Sequence, residues 1–247
     1  MAEEKSIGEW SYEQFADRYA EAVRTKPHNA YLETPATRSL IPDVIGWHIL
    51  DAGCGPGENA AWLLEQGAAH VTAADVTPDF VRLTRKRLAS FGNRARVVHA
   101  DLTRPLDFLD DEQSDMVVCQ LVLHYIKEWG PVCNEFFRVL KTGGVLVFST
   151  GHPFGDWLWV NRLYGEHNYF ATVQFDAQWG GFGEPRPTIR SYRRSLAETL
   201  NPVIQAGFRL AEIVEAQPTE EFAKRDPKDY EKTRHTPSFL CVRAIKS

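Results

Sequence analysis

The feature that most limits how this chain can fold is a glycine turn set between an apolar run and a helix pattern. Trp47–Leu50 is apolar, Asp51 ends it, and Ala52-Gly53-Cys54-Gly55-Pro56-Gly57-Glu58 leads into the helical spacing of Asn59–Gln66. Glycines there let the chain turn tightly and bring its backbone against a ligand. The same punctuation recurs downstream. His70–Val76 reads as a strand, Thr77-Pro78 starts a helix ending near Gly92, and Ala95–Ala100 and Asp115–Gln120 read as strands. Pro131 opens a helix closing at Gly143-Gly144, and Val145–Thr150 is the fifth strand. Buried apolar runs alternating with helices predict an α/β chain with a doubly wound, mostly parallel seven-stranded sheet covered by helices on both faces. At 247 residues, a single domain spanning 1–247 accommodates this pattern.

The flanks have a different character. Helical spacing over Trp10–Arg24 and a second helix from Thr34-Pro35 to Ile41 make residues 1–42 an N-terminal helical segment. From 152 to 192 the rhythm breaks, with ten aromatics in 41 residues, and this stretch reads as an inserted cap containing short strands. Ser195 and Glu198 have the spacing of a capping box for a helix that Pro202 should bend. Phe208–Val214 and Ser238–Ile245 read as strands separated by the charged segment Thr219–Arg234.

Composition narrows the function. Twenty-eight basic against 33 acidic residues give a net charge of −5, which disfavours nucleic acid as partner. The run Arg82, Arg85, Lys86, Arg87, Arg94, Arg96 reads as a solvated helix face without aromatics for stacking bases. The four cysteines form no CxxC pair, so they read as the reduced thiols of a cytoplasmic protein, without a metal site. No apolar stretch has the length of a membrane span. A dinucleotide fingerprint places glycines first, third and sixth, and Gly53 and Gly55 supply two of them. Glu58 holds the sixth place, where an acidic group at a helix start repels pyrophosphate. A nicotinamide-dependent oxidoreductase is therefore the weaker alternative.

The stretch Leu50-Asp51-Ala52-Gly53-Cys54-Gly55-Pro56-Gly57 resembles the first motif of the class I S-adenosylmethionine-dependent methyltransferases, in the small-molecule group with an LDxGCGxG turn. The resemblance extends over nearly all the chain outside the insert and implies the Rossmann-like methyltransferase fold, with S-adenosylmethionine as cofactor. It places Asp51, Gly53, Cys54 and Gly55 at the cofactor turn, and Asp75 with Val76 at the ribose hydroxyls. Asp101 with Leu102 falls near the adenine amino group, and Gln120, in the stretch Cys119–Tyr125, at the methionine end. Leu140–Leu146 matches the turn before the fifth strand, and Tyr19 and Tyr31 resemble tyrosines that close over the cofactor. Taken singly, Asp75 and Asp101 also read as helix N-caps.

Methyl transfer from a sulfonium is an in-line displacement, so the protein positions a nucleophile, excludes water and in some cases removes a proton. His124 and His152 follow strands four and five on the ligand side and are the candidate general bases. Tyr125 and the insert residues Phe154, Trp157, Tyr169 and Trp179 are the candidate substrate contacts, suited to a small aromatic or hydrophobic acceptor methylated at O, N or C. The same aromatics also suit a miniature core or a homodimer contact. A non-catalytic S-adenosylmethionine-binding module is the remaining alternative.

Overall fold

The computed structural model describes residues 5–247. Strands β1 (His48–Ala52), β2 (His70–Asp75), β3 (Ala95–His99), β4 (Ser114–Gln120) and β5 (Leu140–Gly151) run parallel in the spatial order β3-β2-β1-β4-β5. Beyond β5 the sheet continues with β9 (Phe239–Lys246) and β8 (Phe208–Glu215), β9 being antiparallel to both neighbours. The expected seven-stranded, doubly wound sheet is therefore present.

Alternation along each strand feeds two cores, one on each face. Leu50, Val117 and Phe148 point to one face, where Trp129 and Phe136 of α6 (Trp129–Val139) and Val203 of α8 (Leu196–Gln205) cover them. Ile49, Val71 and Val118 point to the other, against Leu63 and Leu64 of α4 (Glu58–Glu65) and Leu40, just past α3 (Thr34–Ser39). Each such side chain, fully buried, contributes about 1.5–3 kcal/mol, so both helix layers are held by the sheet. Helix α5 (Pro78–Leu88) buries Phe80, Val81, Thr84 and Leu88, one stripe of its surface.

The periphery departs from expectation in four places. The N-terminal helix is two helices, α1 (Ile7–Tyr12) and α2 (Ala16–Ala22). The break falls at Phe15 (φ −153°), which turns inward to 3% exposure and meets the Phe182 ring at 5.3 Å. The insert opens with a twelve-residue helix, α7 (Pro153–Tyr164), before the β6 (Val173–Gln178) and β7 (Thr188–Arg193) hairpin. Its start was hidden because His152, not one of the usual capping residues, accepts from the Phe154 N–H through Nδ1. The charged segment folds as α9 (Glu220–Arg225) and α10 (Pro227–Thr233), anchored by the fully buried Phe222. The basic run is more than a solvated face. Arg87 donates to Pro56 O at 2.7 Å, Arg94 to Leu64 O and Ala68 O at 2.7 Å, and Arg96 to Phe108 O at 2.9 Å. Long guanidinium arms there brace backbone carbonyls at and beyond element ends, Leu64 O also accepting from Gly67 N at 3.2 Å.

Candidate active site

The chain builds β1, β2 and β3 outward on one side, then returns to place β4 and β5 on the other. The strand ends of β1 and β4 therefore border the crevice where doubly wound sheets bind ligands. Gly53 sits there at φ +78°, and a Cβ on it would lie 2.3 Å from Val122 Cγ2. Only glycine meets both demands. Gly53 N and Cys54 N donate to Ala74 O at 2.7 and 3.0 Å. Gly55 N donates to Asp75 Oδ2, and Thr77 N to Asp75 Oδ1, both at 2.8 Å. The buried Asp75 thus ties the turn to the end of β2.

A cavity of about 590 Å³ opens against this turn, lined by Asp51, Gly53, Cys54, Gly55, Gln120, Tyr19 and Tyr31 among others. Asp51 Oδ2 and both polar atoms of the Asn59 amide are buried there with no hydrogen-bond partner among the described residues. Burial, with the Asp75 charge nearby, pushes the Asp51 carboxyl up to about 7. Arg38 lines the same cavity with its guanidinium stacked 4.2 Å from the Trp62 ring. A carboxylate, an amide and a guanidinium in one cavity suit the ammonium and carboxylate of an amino-acid group. Glu58 is paired with Arg87 (2.5 Å) and Arg24 (3.0 Å), which offsets its charge at the start of α4.

Sequence reasoning missed the group that holds the crevice's inner end. Glu33 is fully buried and accepts from Thr37 Oγ1 at 2.6 Å, Ser149 Oγ at 2.5 Å, Gln120 Nε2 at 2.5 Å and Thr34 Oγ1 at 3.3 Å. Burial raises its pKa against the pull of those four donors. Ser149 in turn receives the Leu121 N–H on its carbonyl (3.1 Å) and hydroxyl (3.0 Å). Leu121 is held in the left-handed region at φ 55°. Such backbone costs a non-glycine residue about 1–2 kcal/mol and persists because its surroundings fix it. The only local cue to Glu33 was an acidic residue inside the apolar approach to Thr34-Pro35.

A second cavity, of about 600 Å³, shares Tyr19, Asn29 and Leu121 with the first in its walls. Tyr125 and Trp179 line it, as does His124, and the insert adds Asp156, Trp159 and Phe175. The Tyr12 and Tyr125 hydroxyls meet at 2.8 Å, joining α1 to the β4 exit. Burial raises both phenols, so they stay neutral. Burial also drives His124 down to about 3, and its Nδ1 has no hydrogen-bond partner among the described residues. Lys26 lies 3.8 Å from the Phe182 ring centre and is pushed down to about 8 by burial. Gly155 docks α7 on the segment before β9, since a Cβ there would lie 2.1 Å from Pro237 O.

Several expected contacts lie elsewhere. His152 lines neither cavity: Nδ1 accepts from Phe154 N at 3.2 Å, so Nε2 carries the proton toward Glu215 at 2.9 Å. With both nitrogens engaged it has no lone pair for a substrate proton. Phe154, Trp157 and Tyr169 also line neither cavity. They pack on one another, Phe154 on Trp157 at 5.7 Å and Trp157 on Tyr169 at 6.2 Å. Their polar atoms serve the insert itself, Trp157 donating to His167 O and Tyr169 accepting from Leu196 N. Asp75, Val76, Asp101 and Leu102 border neither cavity either. Asp75 is occupied by the turn, Gly8 of α1 lies over Val76, Asp101 accepts from Thr103 N and Oγ1, and Leu102 is in the core. Among the described residues, no cluster of His, Cys, Asp and Glu has the makings of a metal site, and no helix is long and apolar enough to cross a membrane.

Sheet order, glycine turn and switch-point crevice define a Rossmann-like nucleoside-binding α/β protein. Residues 50–148 match the model of a methyltransferase domain. An uncharacterized protein of Haemophilus influenzae is 25% identical over 233 residues, 88% of each chain. The demethylmenaquinone methyltransferase of Clavibacter sepedonicus is 39% identical over 125 residues, and the match spans 49% of each chain, about half the length of that relative. In fold, the chain is similar to the crystal structure of an S-adenosylmethionine-dependent methyltransferase from Mesorhizobium loti, at a TM-score of 0.69 and 23% identity, covering 90% of this chain and 99% of that one. The chain thus carries a methyltransferase domain over residues 50–148 and has the fold of S-adenosylmethionine-dependent methyltransferases.

Proposed function

We propose that this enzyme moves the methyl group of S-adenosylmethionine to a small aromatic or otherwise hydrophobic acceptor in the cytoplasm. The observation that carries this reading is the pair of neighbouring cavities that share Tyr19, Asn29 and Leu121 in their walls, one facing the glycine turn and the other walled by Trp159, Phe175 and Trp179. S-adenosylmethionine supplies an activated methyl group on sulfur. Asp51, Gly53, Cys54, Gly55, Gln120, Tyr19 and Tyr31 would hold it, with Asp51 taking the methionine ammonium and Arg38 its carboxylate. Asp75, which holds Gly55 N and Thr77 N, would keep the turn in the shape that receives the cofactor. The flat apolar walls of the second cavity then position the acceptor and exclude water. The four buried thiols suit a reducing compartment.

Titration calorimetry with S-adenosylmethionine tests the cofactor half. Charge-assisted hydrogen bonds contribute roughly 1.5–3 kcal/mol each, so Asp75→Ala should weaken binding at least about tenfold. Unchanged affinity in a folded variant would show that the turn keeps its shape without Asp75. Screening phenols, thiols and amines for methylated products by mass spectrometry tests the acceptor half, and transfer confined to bulky polar acceptors would refute it.

A further inference from the structure

We propose that Asp156 takes the proton from the acceptor's nucleophile, and that this nucleophile is an acidic hydroxyl of the phenol or enol class. The inference rests on the second cavity being the acceptor chamber, as proposed above.

Asp156 stands in the first turn of α7, where its N–H donates to His152 O at 2.8 Å. Its carboxylate lies directly over Gly151 at the end of β5, since a Cβ on Gly151 would fall 2.2 Å from Oδ2 and 2.7 Å from Cγ. Both residues line the chamber. Among the described residues, neither Asp156 side-chain oxygen accepts a hydrogen bond. A carboxylate that faces a chamber with its lone pairs free, seated on a glycine that makes room for it, is placed to receive a proton from whatever fills that chamber.

The electrostatics agree. The α7 N-terminus and the Arg193 guanidinium both favour the charged form. Burial nonetheless wins and pushes the carboxyl up to about 7, near the optimum for a base at neutral pH. Other charged and titratable groups bordering the chamber are Arg162 on the same helix, His124 and Tyr125 after β4, Tyr12, Tyr19 and Lys26 near the N-terminus, and Asp226, Lys232 and the His28–Asp229 pair. Neither histidine serves as well. His124 is too weakly basic to keep a proton, and His152 has both nitrogens engaged.

A base of this strength selects its acceptor. A phenolic hydroxyl, with a pKa of about 10, is close enough to pass its proton as the new bond forms. An aliphatic alcohol is far less acidic. In the transfer the acceptor's O–H bond breaks and its proton goes to Asp156. The freed oxygen pair makes the bond to the methyl carbon, and the old carbon–sulfur pair stays on sulfur as a neutral thioether. Asp156 then releases the proton to solvent.

The test uses the full chain loaded with S-adenosylhomocysteine, with 4-nitrophenol as a probe whose absorbance reports its own ionisation. A carboxylate beside the bound phenol resists a second negative charge, so the bound probe should ionise at higher pH in the native chain than in Asp156→Asn, by about one pH unit or more. Gly151→Ala keeps the carboxylate but displaces it, and should give the same downward shift. Together the two variants separate a lost proton acceptor from a misfolded α7. Identical titration curves in all three proteins, or no binding of the probe to the native chain, would overturn the proposal. S-adenosylhomocysteine binding is measured before the probe is added, so failure there strikes the proposed function instead.

Discussion

The glycine-turn cavity and the insert chamber are nearly equal in volume, yet they are built by opposite means. The first is made largely of backbone: Gly53, Cys54 and Gly55 occupy fixed places because their N–H groups are held by Ala74 O and Asp75. The second is made of side chains from distant segments, with Tyr19 and Lys26 near the N-terminus, Tyr125 after β4, Trp179 in the insert and Lys232 in α10. A site made of backbone tolerates almost no change at its glycines, whereas one made of side chains can alter its contents and keep its walls. The first arrangement suits a ligand that never varies, the second one that does.

The sharpest way to break this contrast is Gly53→Ala. The new methyl would meet Val122 Cγ2 at 2.3 Å in left-handed backbone. Overpacking and strain together should cost about 3 kcal/mol or more and abolish cofactor binding. Denaturant unfolding with parallel calorimetry measures both, and near-native behaviour would show that the turn is looser than its contacts imply.

A smaller effect separates the regions by pH. Asp51 is raised to about 7, against an unfolded value of about 4. Its contribution to stability is thus complete below about pH 4 and lost as pH rises through about 7. Asp51→Asn should flatten that decline, by an amount on the order of 2 kcal/mol between about pH 5 and pH 8. Urea midpoints at both pH values check it; an unchanged slope would assign the titration to another buried group.

The smallest effect distinguishes chamber wall from insert core. Trp179 borders the chamber, whereas Trp157 hydrogen-bonds His167 O on the insert's outer side. Trp179→Ala should weaken 4-nitrophenol binding about tenfold, about 1.4 kcal/mol, with cofactor affinity unchanged. Trp157→Ala should lower the melting temperature and leave probe binding intact. Equal losses of probe affinity in the two would erase the distinction.

Legibility in the sequence follows the same divide. The five parallel strands and the glycine turn were readable because β-branched runs, turn glycines and Thr77-Pro78 act over a few residues. Asp51, Gly53, Cys54 and Gly55 belong to that one local turn, and Gln120 came from the family resemblance alone; all five line the first cavity. Glu33 escaped because its importance lies in Ser149 and Gln120, more than eighty residues away. Asp156 escaped because nothing local marks a carboxylate that burial and Gly151 will seat at a strand end. His152 looked like the base by its place after β5, but the same place made it the cap of a helix whose apolar residues show no one-sided pattern.

Gly155 bears on how an enzyme of this kind diversifies. Its contact with Pro237 O clamps the first turn of α7 to the sheet, while the rest of the insert, from Trp159 onward, meets the body of the protein mainly through side chains. Residues 160–192 therefore form a cassette: they can be exchanged, lengthened or redesigned for a new acceptor while Asp156 stays seated on Gly151. Grafting that cassette between relatives, with the clamp retained, is the natural route to altered specificity in this scaffold.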